Sequence, residues 1–66
     1  MNSMTIADNV RARRKKMDMT ASDLAKKAGI SQTMMSFIEN GGKNPSVKTL
    51  IALATALECK VDDLVR

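Results

Sequence analysis

A chain of 66 residues, 44% hydrophobic and 27% charged, is expected to form one small globular domain, 1–66, without a second core or a separate effector-binding module. One cysteine and no histidine exclude an intrachain disulfide and a cysteine-based zinc cluster, and remove the usual general base and the Cys–His and Ser–His dyads. The net charge of +4 is uneven: residues 1–48 hold nine Lys/Arg against four Asp/Glu, and residues 49–66 hold two against three, which suggests a polyanionic partner for the first part.

Residues 1–4 read as a frayed end, and MNSMTIADNV has neither the charged nor the apolar region of a signal peptide. Thr5 is placed to cap a first helix running to about Met17, with Asp8 suiting its positive end. Its inward stripe is Ile6, Val10 and Met17, and Arg14 falls on the same stripe. Asp18 follows as a residue that tolerates the left-handed conformation ending a helix.

Thr20-Ala21-Ser22-Asp23 is a capping-box pattern with Asp in place of the preferred Glu. The second helix is expected to bury Leu24, Ala25 and Ala28 and to stop at Gly29 by positive φ. Ser31 then caps a third helix whose wheel turns Met35 and Ile38 inward with Glu39 beside them. Thr33, Ser36, Phe37 and Asn40 point away, with Gln32 and Met34 on the flanks. Gly41-Gly42 stops that helix and Lys43-Asn44-Pro45 forms a loop.

Ser46 caps a fourth helix expected to bury Val47, Leu50, Leu53, Ala54 and Leu57, with Ile51 at its edge. A short fifth helix at about 61–65 is expected to bury Val61 and Leu64. No strand pattern survives, so the fold class is all-α, a compact five-helix domain. The apolar run from Leu50 to Leu57 is broken by Thr55 and too short to span a bilayer. Lone-cysteine usage fits a reduced, cytoplasmic setting.

Arg14 and Glu39 both face inward and are most economically explained as a partly buried ion pair tying the first helix to the third. The alternative is that both side chains bend to solvent. On the outer face of the third helix, Gln32 carries the paired donor and acceptor that match adenine, and Thr33 suits a base edge or a thymine methyl. Phe37 is an apolar residue on that outward face, and four roles stay open for it: a thymine-methyl contact, packing on Met34, a partner surface, or burial by a shifted wheel. Thr20 and Ser22 at one helix start suit one phosphate, and Asn40, Lys43 and Asn44 suit the opposite strand, or form a simple polar loop.

The residues Leu24-Ala25, Ala28-Gly29-Ile30-Ser31, Ser36, Leu50, Leu53-Ala54, Ala56-Leu57 and Asp62-Asp63-Leu64, with the run IENGxxNPSxxTL, resemble the lambda-repressor-like (Cro/C1, XRE) family of helix-turn-helix regulators over residues 6–65. The resemblance implies a helix-turn-helix at about 20–41 with the third helix as reader, and base-reading roles for Gln32, Thr33 and Phe37, with Ser36 beside them on the same face. It implies phosphate contacts at Asn40 and Lys43 and the Arg14–Glu39 pair. It also implies a homodimer through 58–66, around Cys59, Val61, Leu64 and Val65. Ala21 departs from the pattern, standing where many members carry a phosphate-contacting Gln, as do Arg13 at a frequent Leu and Glu58 at a frequent Gly.

The function expected is a sequence-specific regulator of transcription on double-stranded DNA, without cofactor, membrane or small-molecule effector. The rival class is a protein-interaction module, an antitoxin or anti-repressor using Met34 and Phe37. An enzyme is disfavoured by the absence of a nucleophile–base pair.

Overall fold

The computed structural model describes residues 5–66, so the frayed end expected at residues 1–4 lies outside the described residues. The described residues form five helices: α1 (Ile6–Lys16), α2 (Ala21–Ala28), α3 (Gln32–Glu39), α4 (Val47–Ala56) and α5 (Val61–Val65). Each of the first four begins where a side-chain oxygen meets an otherwise unbonded backbone donor. Thr5 Oγ1 accepts from the Asp8 N–H at 3.1 Å and Thr20 Oγ1 from the Asp23 N–H at 3.0 Å. Ser31 Oγ accepts from the Met34 N–H at 3.0 Å and Ser46 Oγ from the Thr49 N–H at 3.2 Å. In α1 and α2 the acid three residues on reaches back: Asp8 accepts from the Thr5 N–H and Asp23 from the Thr20 N–H, completing both capping boxes despite the shorter Asp.

The same four helices end alike. Asp18, Gly29, Gly41 and Glu58 take positive φ, between 55° and 73°. At each, that residue and the next donate backbone N–H groups to carbonyls of the last turn, as in Met19 to Arg14, Ile30 to Ala25, Gly42 to Phe37 and Cys59 to Ala54. Gly29 and Gly41 adopt this backbone freely; Asp18 and Glu58 adopt it against the usual steric preference of L-residues. Short helices with sharp left-handed stops let 62 described residues fold back on themselves four times.

Helix α2 packs on both α3 and α4, α1 packs on α3 and α5, and α4 packs on α5. The centre is filled by Val10, Leu24, Met35, Ile38, Leu53 and Leu64, with the small Ala25 and Ala54 where helices approach closely. Three details differ from the wheel. Val47 is 70% exposed, because it occupies the first position of α4, beyond the end of the core that its angular phase points toward. Ala7 and Ala56 are buried instead, while Ile6, Met17, Ala28 and Val61 are only partly covered. Asn9 is buried and polar, a residue that apolar patterning passes over. Its Nδ2 donates to the Leu64 carbonyl at 2.9 Å and the Arg66 carbonyl at 2.8 Å, satisfying the end of α5 from inside α1. No helix of the described residues is long and apolar enough to cross a membrane.

Candidate nucleic-acid interface

Two arginines of α1 hold the far end of α3. Arg14 Nε donates to Glu39 Oε2 at 2.7 Å and its Nη2 to Oε1 at 3.0 Å, a two-pronged pair whose side chains are 14% and 11% exposed. The remaining Arg14 Nη1 donates to the Met19 carbonyl at 2.9 Å, so one guanidinium ties α3 and the α1–α2 turn to α1. The alternative in which both charges bend to solvent is thereby excluded. Arg11 adds a contact absent from the sequence reading: its Nη1 donates to the Glu39 carbonyl and its Nη2 to Asp8 Oδ1 at 2.6 Å. A cation at the C-terminal end of α3 suits that helix's dipole, and α3 has no basic residue of its own there.

With its inner face so held, α3 turns a defined surface outward. Met35, Ile38 and Glu39 are buried; Gln32, Thr33, Ser36, Phe37 and Asn40 are exposed, and Met34 is half-buried. Phe37 is 50% exposed, so burial by a shifted wheel does not occur; its ring lies beside Gly42, where an added Cβ would stand 3.6 Å from Cδ1. That distance is an ordinary van der Waals contact, so the ring packs against the loop that follows without requiring a glycine there. Lys43 and Asn44 are exposed in that loop, at the opposite end of α3 from Gln32.

At the start of α3 the structure brings two separated sequence positions together. Gln32 Nε2 donates to Ser22 Oγ at 3.0 Å, across the mouth of a cleft of about 290 Å³ between α2 and α3. The methyl of Ala21 forms one wall, with Ser36 and Asn40 farther along; Asn40 Nδ2 reaches Ser36 Oγ at 3.5 Å. Thr20 is committed to the capping box, whose bonds from the Thr20 backbone N–H and then its side chain lower the Asp23 carboxyl below the ordinary 3.8. What the first turn of α2 still offers outward, among the described residues, is the Ser22 hydroxyl with the Ala21 and Ser22 N–H groups.

The segment expected to pair two copies is less uniform. Leu64 is fully buried in the protomer's own core and presents no surface to a partner, which corrects its assignment to an interface. Val65 is exposed, and Cys59 and Val61 are partly covered. Burial pushes the Cys59 thiol up, against the nearby Arg13 charge, which disfavours the reactive thiolate. Arg13 lies 3.9 Å from Asp63, so this departure from the resembled pattern faces α5 with an exposed ion pair.

Comparison with known proteins extends these observations. The family model described as helix-turn-helix matches residues 10–64. The chain is 35% identical over 66 residues to repressor protein C2 of Salmonella phage P22, covering all of this chain and 31% of that protein. It is 39% identical over 62 residues to the immunity repressor of Bacillus phage phi105, covering 94% of this chain and 43% of that one. The chain therefore spans less than half the length of both relatives. Among solved structures, the P22 c2 repressor in complex with a synthetic operator superposes with a TM-score of 0.90 at 33% identity, covering 97% of each chain.

Proposed function

The chain belongs to the helix-turn-helix family, and from that premise we propose that it is a sequence-specific DNA-binding regulator of transcription that lays α3 in the major groove. The observation carrying this reading is the outward strip Gln32, Thr33, Ser36 and Phe37 on a helix whose inner face is clamped by Arg11 and Arg14. Base discrimination needs side chains held in register, and an α3 free to rock would average its contacts away. Gln32 meets an adenine through its amide, and Thr33 a base edge or thymine methyl. Phe37, half-exposed beside Gly42, takes a thymine methyl and gives the site an apolar component.

Phosphates flank this strip. The Ser22 hydroxyl and the free N–H groups at the start of α2 receive one, with Thr20 shaping that turn; Asn40, Lys43 and Asn44 receive one on the opposite strand. The side chain of Ala21 contributes no donor to this set, so its replacement by Gln adds a contact. Two copies meet through Val65 with the partly covered Cys59 and Val61, placing their α3 helices on half-sites about 34 Å apart, one turn of the duplex. The protein acts in the cytoplasm, at the nucleoid. The C2 protein of phage P22 and the immunity repressor of phage phi105 are repressors; repression by this chain is the direction those relatives favour.

Selection of bound duplexes from a random pool tests the reading. The expected outcome is an inverted repeat with A/T-containing half-sites; no enriched sequence overturns it. The half-exposed Phe37 specifically favours a second reading, a protein-interaction module that uses Phe37 and Met34. Phe37→Ala separates the two: loss of duplex binding supports the regulator, and loss of a protein partner with duplex binding intact supports the module.

A further inference from the structure

Resting on the DNA-reading role of Gln32, we infer that Ser22 is a positioning residue that couples a phosphate contact to the base preference of Gln32. The two side chains are ten residues apart in sequence and belong to different helices, yet Gln32 Nε2 lies 3.0 Å from Ser22 Oγ. Gln32 is exposed and the neighbouring Ala21 is only a methyl, so the hydroxyl of Ser22 is the polar group of α2 that steadies the amide. A long amide immobilised before binding loses less rotamer freedom when it meets a base.

The coupling follows from the proton count. A serine hydroxyl has one proton to give and lone pairs to receive. When Ser22 accepts from Gln32 Nε2, its own proton remains available to a phosphate oxygen. When Ser22 instead donates to Gln32 Oε1, no proton remains, and a phosphate oxygen, being an acceptor only, is refused. A phosphate seated on Ser22 therefore selects the amide orientation with Nε2 against the serine. In that orientation the second Nε2 hydrogen and the Oε1 lone pairs stay free, the pairing that adenine N7 and N6 require. The free Ser22 backbone N–H brings the phosphate to the same place. Thr20 does not take this role, because its hydroxyl accepts from the Asp23 N–H, whereas the Gln32 amide is bonded to Ser22.

The experiment compares duplex selection by the wild-type chain, Ser22→Ala, Ser22→Thr and Gln32→Ala. The position whose preference vanishes in Gln32→Ala is the one Gln32 reads. At that position Ser22→Ala is expected to weaken the preference about three- to tenfold, the range of one neutral hydrogen bond, while preferences elsewhere and the melting temperature hold. Ser22→Thr restores it. Replacing the adjacent phosphate by a neutral methylphosphonate is expected to weaken the same preference in the wild-type chain and to leave Ser22→Ala unaffected. A Ser22→Ala protein that binds all sequences more weakly but keeps the preference overturns the coupling and leaves the regulator reading standing. A wild-type chain that enriches no sequence overturns both.

Discussion

At the scale of single residues, the decisive feature is a charged pair where the helical wheel would place apolar side chains. Arg14 and Glu39 are nearly buried, doubly bonded to each other, and Arg14 is bonded again to Met19. Removing one member strands the other in a poorly hydrated position. Arg14→Ala and Glu39→Ala are each expected to destabilise the fold by about 3–5 kcal/mol in urea unfolding, whereas an apolar replacement of both loses far less than the sum. Two single variants with wild-type stability would contradict the assignment. The pair's arrangement also shows what it does here: the guanidinium fixes α3 from the face opposite Thr33 and Phe37. Asn9 does similar work for α5 through two carbonyls, without charge.

At the scale of helices, starts and stops follow one local rule each, and both are open to measurement. Each of the first four helices ends on a left-handed residue, but only two of those residues are glycine. Glu58→Gly is expected to stabilise the protein by about 0.5–1 kcal/mol, the relief of left-handed strain less the extra entropy of an unfolded glycine. Asp18→Gly gains less, because Asp tolerates that conformation better than Glu. Thermal melts that rank the two in the opposite order would reject this account. The starts respond to acid. Hydrogen bonds from the Thr5 and Thr20 backbone N–H groups lower the Asp8 and Asp23 carboxyls below 3.8, so each favours the folded state when ionised. That contribution is complete above the unfolded value and drains away as pH falls through the lower folded one. Melting temperature should therefore decline below about pH 4, and Asp8→Asn with Asp23→Asn should flatten that decline.

At the scale of the molecule, charge and shape point the same way. The first 48 residues carry the positive excess, and they contain α1, α2, α3 and the loop with Lys43. Of the side chains proposed to meet phosphates, Lys43 alone is a cation; the others donate as neutral groups. DNA binding should weaken as salt rises, and Lys43→Ala should reduce the slope of log affinity against log salt by about 1 per protomer. A slope unchanged by that substitution would remove Lys43 from the interface.

Much of this molecule is written locally. Thr5, Thr20, Ser31 and Ser46 start helices, and Asp18, Gly29 and Gly41 stop them, because caps and left-handed turns need only a few neighbouring residues. Helical spacing then separates Met35 and Ile38 from Phe37, and two misplaced charges find each other by elimination. What spacing leaves undetermined is how far the core extends along each helix and which polar groups meet across helices. Val47 has an inward phase but lies beyond the core's edge, and Leu64 is sealed inside by α1 and α4, leaving nothing for a partner copy. Asn9 and Arg11 read as ordinary polar residues until α5 and Glu39 are brought against them, and Ser22, legible as a phosphate contact, shows its bond to Gln32 only in the fold. Those contacts depend on the angles at which helices cross, and a crossing angle is a property of packed surfaces rather than of any one stretch of chain.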